Sequence, residues 1–229
     1  MPFAPDQALI QTCCYNLFMI KAVIFDIDGT LLDSFESNFE FYRVLLRASG
    51  YEAPTREEFA KLTHATLHDA IRAFTGVSDP DEIKKIWAAG YDAASKVQDA
   101  VLLKGAVEAI RELSRRYALA IATNRNAVYV YEPPLDQLKP YFKTSVSYED
   151  TRNHKPDPEP LLLAATQLGA KPIECVYVGD AEVDFQAARS AGMRFILCGN
   201  AALKVADGYA TTLQEVPRIL KTLDNADQK

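Results

Sequence analysis

Cysteine is scarce in this chain of 229 residues: there are four, Cys13, Cys14, Cys175 and Cys198, none in a CxxC pair and none at zinc-ligand spacing. Four cysteines in a chain this long do not make a disulfide scaffold, so reduced thiols and a cytoplasmic location are expected. Long basic runs are missing as well. With 25 Lys+Arg against 31 Asp+Glu the formal charge is -6, which argues against nucleic acid or an anionic membrane surface as a partner. No stretch reaches the ~20 apolar residues that a membrane span needs. Residues 1–18 lack the basic start and apolar run of a signal peptide. They read as an N-terminal extension ahead of Met19, with a short surface helix as the alternative.

The 48% of hydrophobic residues suffices for one core with a small second domain. After Met19 the pattern alternates. KAVIFDI (21–27) is a β-branched apolar run entering Asp, Gly and Thr, the mark of a buried strand running into a loop. From 36 to 102 the signals are all helical. Apolar residues recur at 35, 39, 42, 45 and 46; Thr55 and Glu58 form a capping-box pattern; Leu67, Ala70, Ile71 and Phe74 share a helix face; Asp79-Pro80 opens a further helix. From Gly105 strands and helices alternate again, with strands expected at 117–123, 143–149, 174–180 and 194–199 and a final helix near 213–223. Such repeated units imply a doubly wound parallel α/β sheet with right-handed crossovers. The expected division is a core of 19–35 and 103–229, interrupted after its first strand by a small helical domain at 36–102.

Ligands of such sheets bind beyond the carboxyl ends of the strands. There the sequence puts Asp26 and Asp28, Thr123-Asn124, the loop to Lys155, and Gly179-Asp180; they are expected to converge. Gly29 permits the bend that lets both Asp26 and Asp28 address one site, and the N–H groups of the turn begun by Thr30 suit an anion. One carboxylate of the pair can attack phosphorus while the other exchanges a proton with the leaving group and water. Two acids facing a phosphate need a cation. Mg²⁺ fits, with carboxylates of Asp26 and Asp180 and the carbonyl of Asp28 as ligands and Asp184, one helical turn on, in direct or water-mediated support. Lys155, the Thr123 hydroxyl and the Asn124 N–H can steady the phosphoryl oxygens, and Lys155 can pair with Asp26. Each feature alone has a plain structural explanation: a surface turn, a helix N-cap, a solvated lysine. Their joint order is what carries weight.

FDIDGTLLD (25–33), the apolar run ending Thr123-Asn124, KPDP (155–158) and GDAEVD (179–184) resemble the four motifs of the haloacid dehalogenase superfamily, over almost everything from Met19 to about residue 223. The helical insertion resembles the cap of its phosphoglycolate phosphatase-like branch. The resemblance implies a Rossmann-like core and Asp26 as nucleophile. It also implies Asp28 as acid/base, Thr123 and Lys155 as stabilisers, Asp180 as a ligand of Mg²⁺, and a small phosphorylated metabolite as substrate. The chain would act as a monomer or homodimer. Asp28 favours phosphate esters over carbon–halogen or phosphonate cleavage. Two competing readings share the motifs: a β-phosphoglucomutase-type mutase, and a non-catalytic phosphate-binding protein. One departure is NRNAVYVYEPPLDQL after the second motif, where two adjacent prolines forbid a continuous helix; RFILCGN after Gly192-Met193 is another. Arg43, Arg47, His64 and His68 are candidate contacts from the insertion, against the simpler reading of solvated faces and, for the two histidines at i, i+4, one exposed helix face. Trp87, Tyr91, Phe39, Phe41 and Phe74 are expected in the insertion's own core.

Overall fold

The first strand, β1 (Ala22–Phe25), is buried along its whole length, as a continuous apolar run requires when both faces are covered. The computed structural model describes residues 19–97, 100–199 and 205–226; the expected extension at 1–18, with Cys13 and Cys14, lies outside them. β1 sits at the centre of a six-stranded sheet with β4 (Ala118–Ala122), β5 (Thr144–Val146), β6 (Cys175–Gly179), β7 (Arg194–Cys198) and β8 (Gly208–Ala210). The order is β5-β4-β1-β6-β7-β8, and every pairing is parallel.

Alternation along these strands sorts the core into two layers. Val23, Phe25, Leu119, Ile121, Val176 and Val178 face one side, where α5 (Ala106–Leu113) and α8 (Val216–Ala226) cover them. Ala22, Ile24, Ala120, Ala122, Cys175 and Tyr177 face the other, under α6 (Glu159–Leu168) and α7 (Glu182–Ser190). This is the doubly wound sheet the alternation implies. Cys175 and Cys198 are buried free thiols, both pushed up to about 12 by burial. Among the described residues no helix is long and apolar enough to cross a membrane.

Between β1 and β4 lie α1 (Phe35–Ala48), α2 (Arg56–Ala60), α3 (Leu67–Thr75) and α4 (Pro80–Ala94). Local chemistry sets their ends: the Thr55–Glu58 capping box opens α2, and the Asp79 carboxylate accepts from the N–H groups of Asp81 and Glu82 at the start of α4. Leu45, Leu46, Ile71, Ile83 and Ile86 form a core separate from the sheet. α1 and α4 pack closely because Gly90 has no side chain; a Cβ there would lie 2.3 Å from the Leu45 carbonyl oxygen. The insertion is not purely helical at its root. β2 (Leu32–Asp33) and β3 (Val101–Leu102) pair antiparallel where the chain leaves and re-enters the core. The segment expected as a strand over 143–149 pairs for three residues only, then turns into a 3₁₀ turn at Tyr148–Asp150.

Candidate active site

The apolar run of β1 ends at Asp26, and the sheet's register carries three other chain segments to the same edge. Lys155, in the loop before α6, reaches under the sheet edge. Its Nζ lies 2.7 Å from Oδ1 of Asp26 and 2.8 Å from Oδ1 of Asp184, with side-chain exposures of 3%, 4% and 0% for the three residues. The same ammonium donates to the Tyr177 hydroxyl at 2.9 Å, which in turn donates to the Ala122 carbonyl. Asp184 also accepts from the N–H groups of Asp180 and Ala181, and so fixes the turn between β6 and α7. Asp180 points back across the site toward the β1 turn. Gly29 holds a left-handed φ of +71°, and a Cβ there would lie 2.1 Å from Oδ2 of Asp180. Glycine is therefore required twice at this position, for conformation and for the carboxylate's approach.

Two buried carboxylates, Asp26 and Asp184, share Lys155, and the partly exposed Asp180 lies close to them. Burial, reinforced by neighbouring acids, pushes Asp26 up to about 7 despite Lys155, and Asp180 up to about 8. Burial works against the charge of Lys155, but the two carboxylates beside it hold the ammonium protonated well above its usual range. Asp26, His64 and Asp180 each bring one ligand atom within 4.8 Å of the others. Burial lowers His64, which keeps the imidazole neutral and able to ligate. A site short of positive charge, with carboxylate oxygens converging, suits a divalent cation.

Comparison with known proteins places this geometry in a family. A family model for haloacid dehalogenase-like hydrolases matches residues 23–198. A phosphoglycolate phosphatase of Rhodobacter capsulatus is 29% identical over 230 residues, covering 90% of this chain and 94% of its own. The pyrophosphatase PpaX of Bacillus pumilus is 29% identical over 184 residues, covering 78% and 83%. The structure of CbbY from Rhodobacter sphaeroides with phosphate superposes with a TM-score of 0.77 at 24% identity, over 89% of this chain and all of that one. The chain belongs to the haloacid dehalogenase-like hydrolases. Within them it resembles the phosphoglycolate phosphatase branch.

In this hydrolase the second acid of the DxD pair has a partner that the motif pattern does not reveal. Arg125, two residues past Thr123, forks onto Asp28 with Nε and Nη2 each donating at 2.6 Å. Asn38 Nδ2 donates to the same carboxylate at 2.9 Å, and the Ser34 hydroxyl donates as well. Burial raises Asp28, but the guanidinium and these donors outweigh it and bring the group down to about 2. Arg125 lies inside the unusual segment after the second motif, which was the available signal; its partner, 97 positions away, was not visible.

Two expectations need correcting. The turn's N–H groups are not available to an anion: Gly29 donates to the Leu32 carbonyl, and Thr30, Leu31 and Leu32 all donate to that of Ile27. The Thr30 hydroxyl donates to Oδ1 of Asp180 at 3.2 Å, so Thr30 orients that acid. His64 and His68 do not share a helix face. His64 sits in the loop between α2 and α3, with Nε2 4.0 Å from Asp180. His68, on α3, stacks on Tyr148, which stacks on His154. Thr123 is 2% exposed at the end of β4, and its hydroxyl accepts from the Arg125 N–H. The Asn124 side chain brackets the site: its amide donates to the carbonyls of His64 and Lys155 and its oxygen accepts from the Lys155 N–H.

A cavity of about 370 Å³ opens from Asp26, Asp28 and Lys155 toward the helical insertion. Phe41 and Tyr91, expected only in the insertion's core, line it. Arg43, paired with Glu40, and the exposed Arg47 do not.

Proposed function

We propose that this chain is a Mg²⁺-dependent phosphatase that hydrolyses a small phosphomonoester through a phosphoryl group held covalently on Asp26. The observation that carries this reading is the meeting of Asp26 with Lys155 and with Asp180, from segments far apart in sequence, where Asp26 and Lys155 also line the cavity. Asp26, Asp180 and the carbonyl of Asp28 would hold the cation, which when bound neutralises the crowded acids and the phosphoryl oxygens. Asp184, bonded to Lys155, supports from behind.

Asp26, kept in place by Lys155, attacks phosphorus, forming the Asp26 oxygen–phosphorus bond as the bond to the leaving oxygen breaks. Asp28 gives its proton to that oxygen. Water then attacks the phosphorus; Asp28 takes a proton from it, inorganic phosphate leaves, and Asp26 is restored. Lys155, the Thr123 hydroxyl and the backbone of Asn124 steady charge on the phosphoryl group in both halves. Arg125 holds Asp28 ionised, which suits the second half directly; the first half requires that carboxylate to gain a proton and loosen from Arg125.

Residues 36–102 act as a cap on a core of 19–35 and 103–226, excluding water while the covalent stage lasts. The enzyme works in the cytoplasm on a metabolite. Release of inorganic phosphate from a panel of phosphomonoesters tests the reading: turnover with Mg²⁺, none in chelator and none with Asp26→Asn is expected. Isomerised substrate without phosphate release would point to a mutase, and turnover surviving Asp26→Asn would overturn the nucleophile.

A further inference from the structure

We infer that the alcohol this enzyme releases is uncharged and largely apolar, an alkyl or aryl alcohol rather than one bearing a second anionic group. This rests on the phosphatase reading and goes on to name the substrate class.

The charge distribution in the cavity is the first support. Among the described residues that line it, the only Lys and Arg side chains are Lys155 and Arg125. Lys155 sits between Asp26 and Asp184 beneath the phosphoryl position. Arg125 gives two donors to Asp28. A carboxylate or second phosphate on the leaving group would find no further cation on these walls. It would compete with Asp28 for Arg125, which gives that carboxylate two donors at 2.6 Å. Glu132 also lines the cavity and acts electrostatically on Arg125. Arg43 and Arg47, which could have supplied positive charge from the insertion, lie outside the lining.

The shape and chemistry of the far wall are the second support. Phe41, Tyr42, Phe59, Leu62, Leu67 and Tyr91 line the part of the cavity formed by the four helices α1 to α4 and the loop between α2 and α3. Pockets of this size, about 370 Å³, hold molecules with substantial apolar surface when lined this way. A two-carbon acid such as glycolate would leave most of that aromatic wall uncovered. Phe41 and Tyr91 belong to the insertion, so the element that closes the site also presents the apolar face to the leaving group. Substrate choice thus departs from that named for the Rhodobacter capsulatus relative, with the same phosphoryl end retained.

The test compares matched pairs on the intact enzyme with Mg²⁺: phenyl phosphate against 4-carboxyphenyl phosphate, and n-butyl phosphate against 4-phosphooxybutanoate. The neutral member of each pair is expected to have the higher kcat/KM by roughly tenfold or more, since a like-charge or unpaired-charge encounter of this kind exceeds the free energy of one decade. Equal or better turnover of the carboxylated members overturns the inference while leaving the phosphatase reading intact. No phosphate release from any ester by the folded protein overturns both. Leu67→Lys adds a cation to the apolar wall. It is expected to raise the relative kcat/KM of the carboxylated members; an unchanged ratio in a folded variant counts against the wall as the determinant.

Discussion

Lys155→Met removes one charge while keeping much of the stem's volume. In the native site the ammonium lies 2.7 Å from Asp26 and 2.8 Å from Asp184, and all three side chains are almost wholly buried. Its loss leaves two buried acids without a cation, a change that costs about 3–5 kcal/mol against a typical total of about 5–15 kcal/mol. The cost depends on pH with a definite sign. Asp26 already sits at about 7 because burial outweighs Lys155, and taking Lys155 away removes an influence that lowers it. The folded state then keeps protons that the unfolded chain has lost, so stability falls as pH rises from the ordinary carboxylate range through the folded value. The destabilisation is therefore expected to be largest near about pH 8 and to shrink toward about pH 4. Mg²⁺ should restore part of it, because a cation on Asp26 and Asp180 leaves Asp184 unpaired. Urea unfolding of both proteins at the two ends of that range, with and without Mg²⁺, gives the answer. A difference within about 1 kcal/mol at both ends would refute the claim that Lys155 is the counter-charge of a buried acid pair.

Three further outcomes follow from the same geometry. Gly29→Ala forces a Cβ to within 2.1 Å of Asp180 Oδ2 at a left-handed φ; about 1–2 kcal/mol of stability and roughly 10–100-fold in Mg²⁺ affinity should be lost, and a Mg²⁺ titration of activity that matches the wild type would contradict this. In the cation-free wild type, Asp26 at about 7 and Asp180 at about 8 lie above their unfolded values, so stability drops as pH rises through that window. Added Mg²⁺ should therefore raise Tm more on its alkaline side than below about pH 5, and a pH-independent rise would count against the acids as its ligands. Arg125→Met takes away the guanidinium that brings Asp28 to about 2, leaving burial to raise it; the protonated acid then persists to higher pH, and the alkaline limb of kcat for an alkyl phosphate should move upward. A profile that does not move would mean Asp28 does not protonate the leaving group.

Much of the fold was legible because its signals are long or chemically strict. β1 is a four-residue run with every side chain buried, and an apolar run of that kind ending in Asp-x-Asp-Gly reads plainly. The meeting of Asp26 and Asp180 followed from strand ends, since a parallel sheet brings its carboxyl ends to one edge, and Lys155 joins them from the loop between β5 and α6. The β2–β3 ribbon was illegible because two residues per strand carry no periodicity. His64 was misassigned because its i, i+4 spacing to His68 mimics a helix face. α2 in fact stops at Ala60, and the Thr66 side chain caps α3 by accepting from the Asp69 N–H, a pattern present in the sequence. The Arg125–Asp28 pair depends on side-chain reach across the site, which no spacing encodes. Thr30 was assigned to an anion because its turn offers N–H groups; the turn's own carbonyls take them instead.

Trapping of the covalent stage tests the central claim most directly. The enzyme is mixed with a phenyl ester carrying radiolabelled phosphate and Mg²⁺, quenched in acid within one turnover, and digested. Label that is labile to hydroxylamine, on the peptide holding Asp26 and absent from Asp26→Asn, is the result expected. Full phosphate release with no label on that peptide at any quench time would mean that water attacks the ester directly and that Asp26 is not the nucleophile.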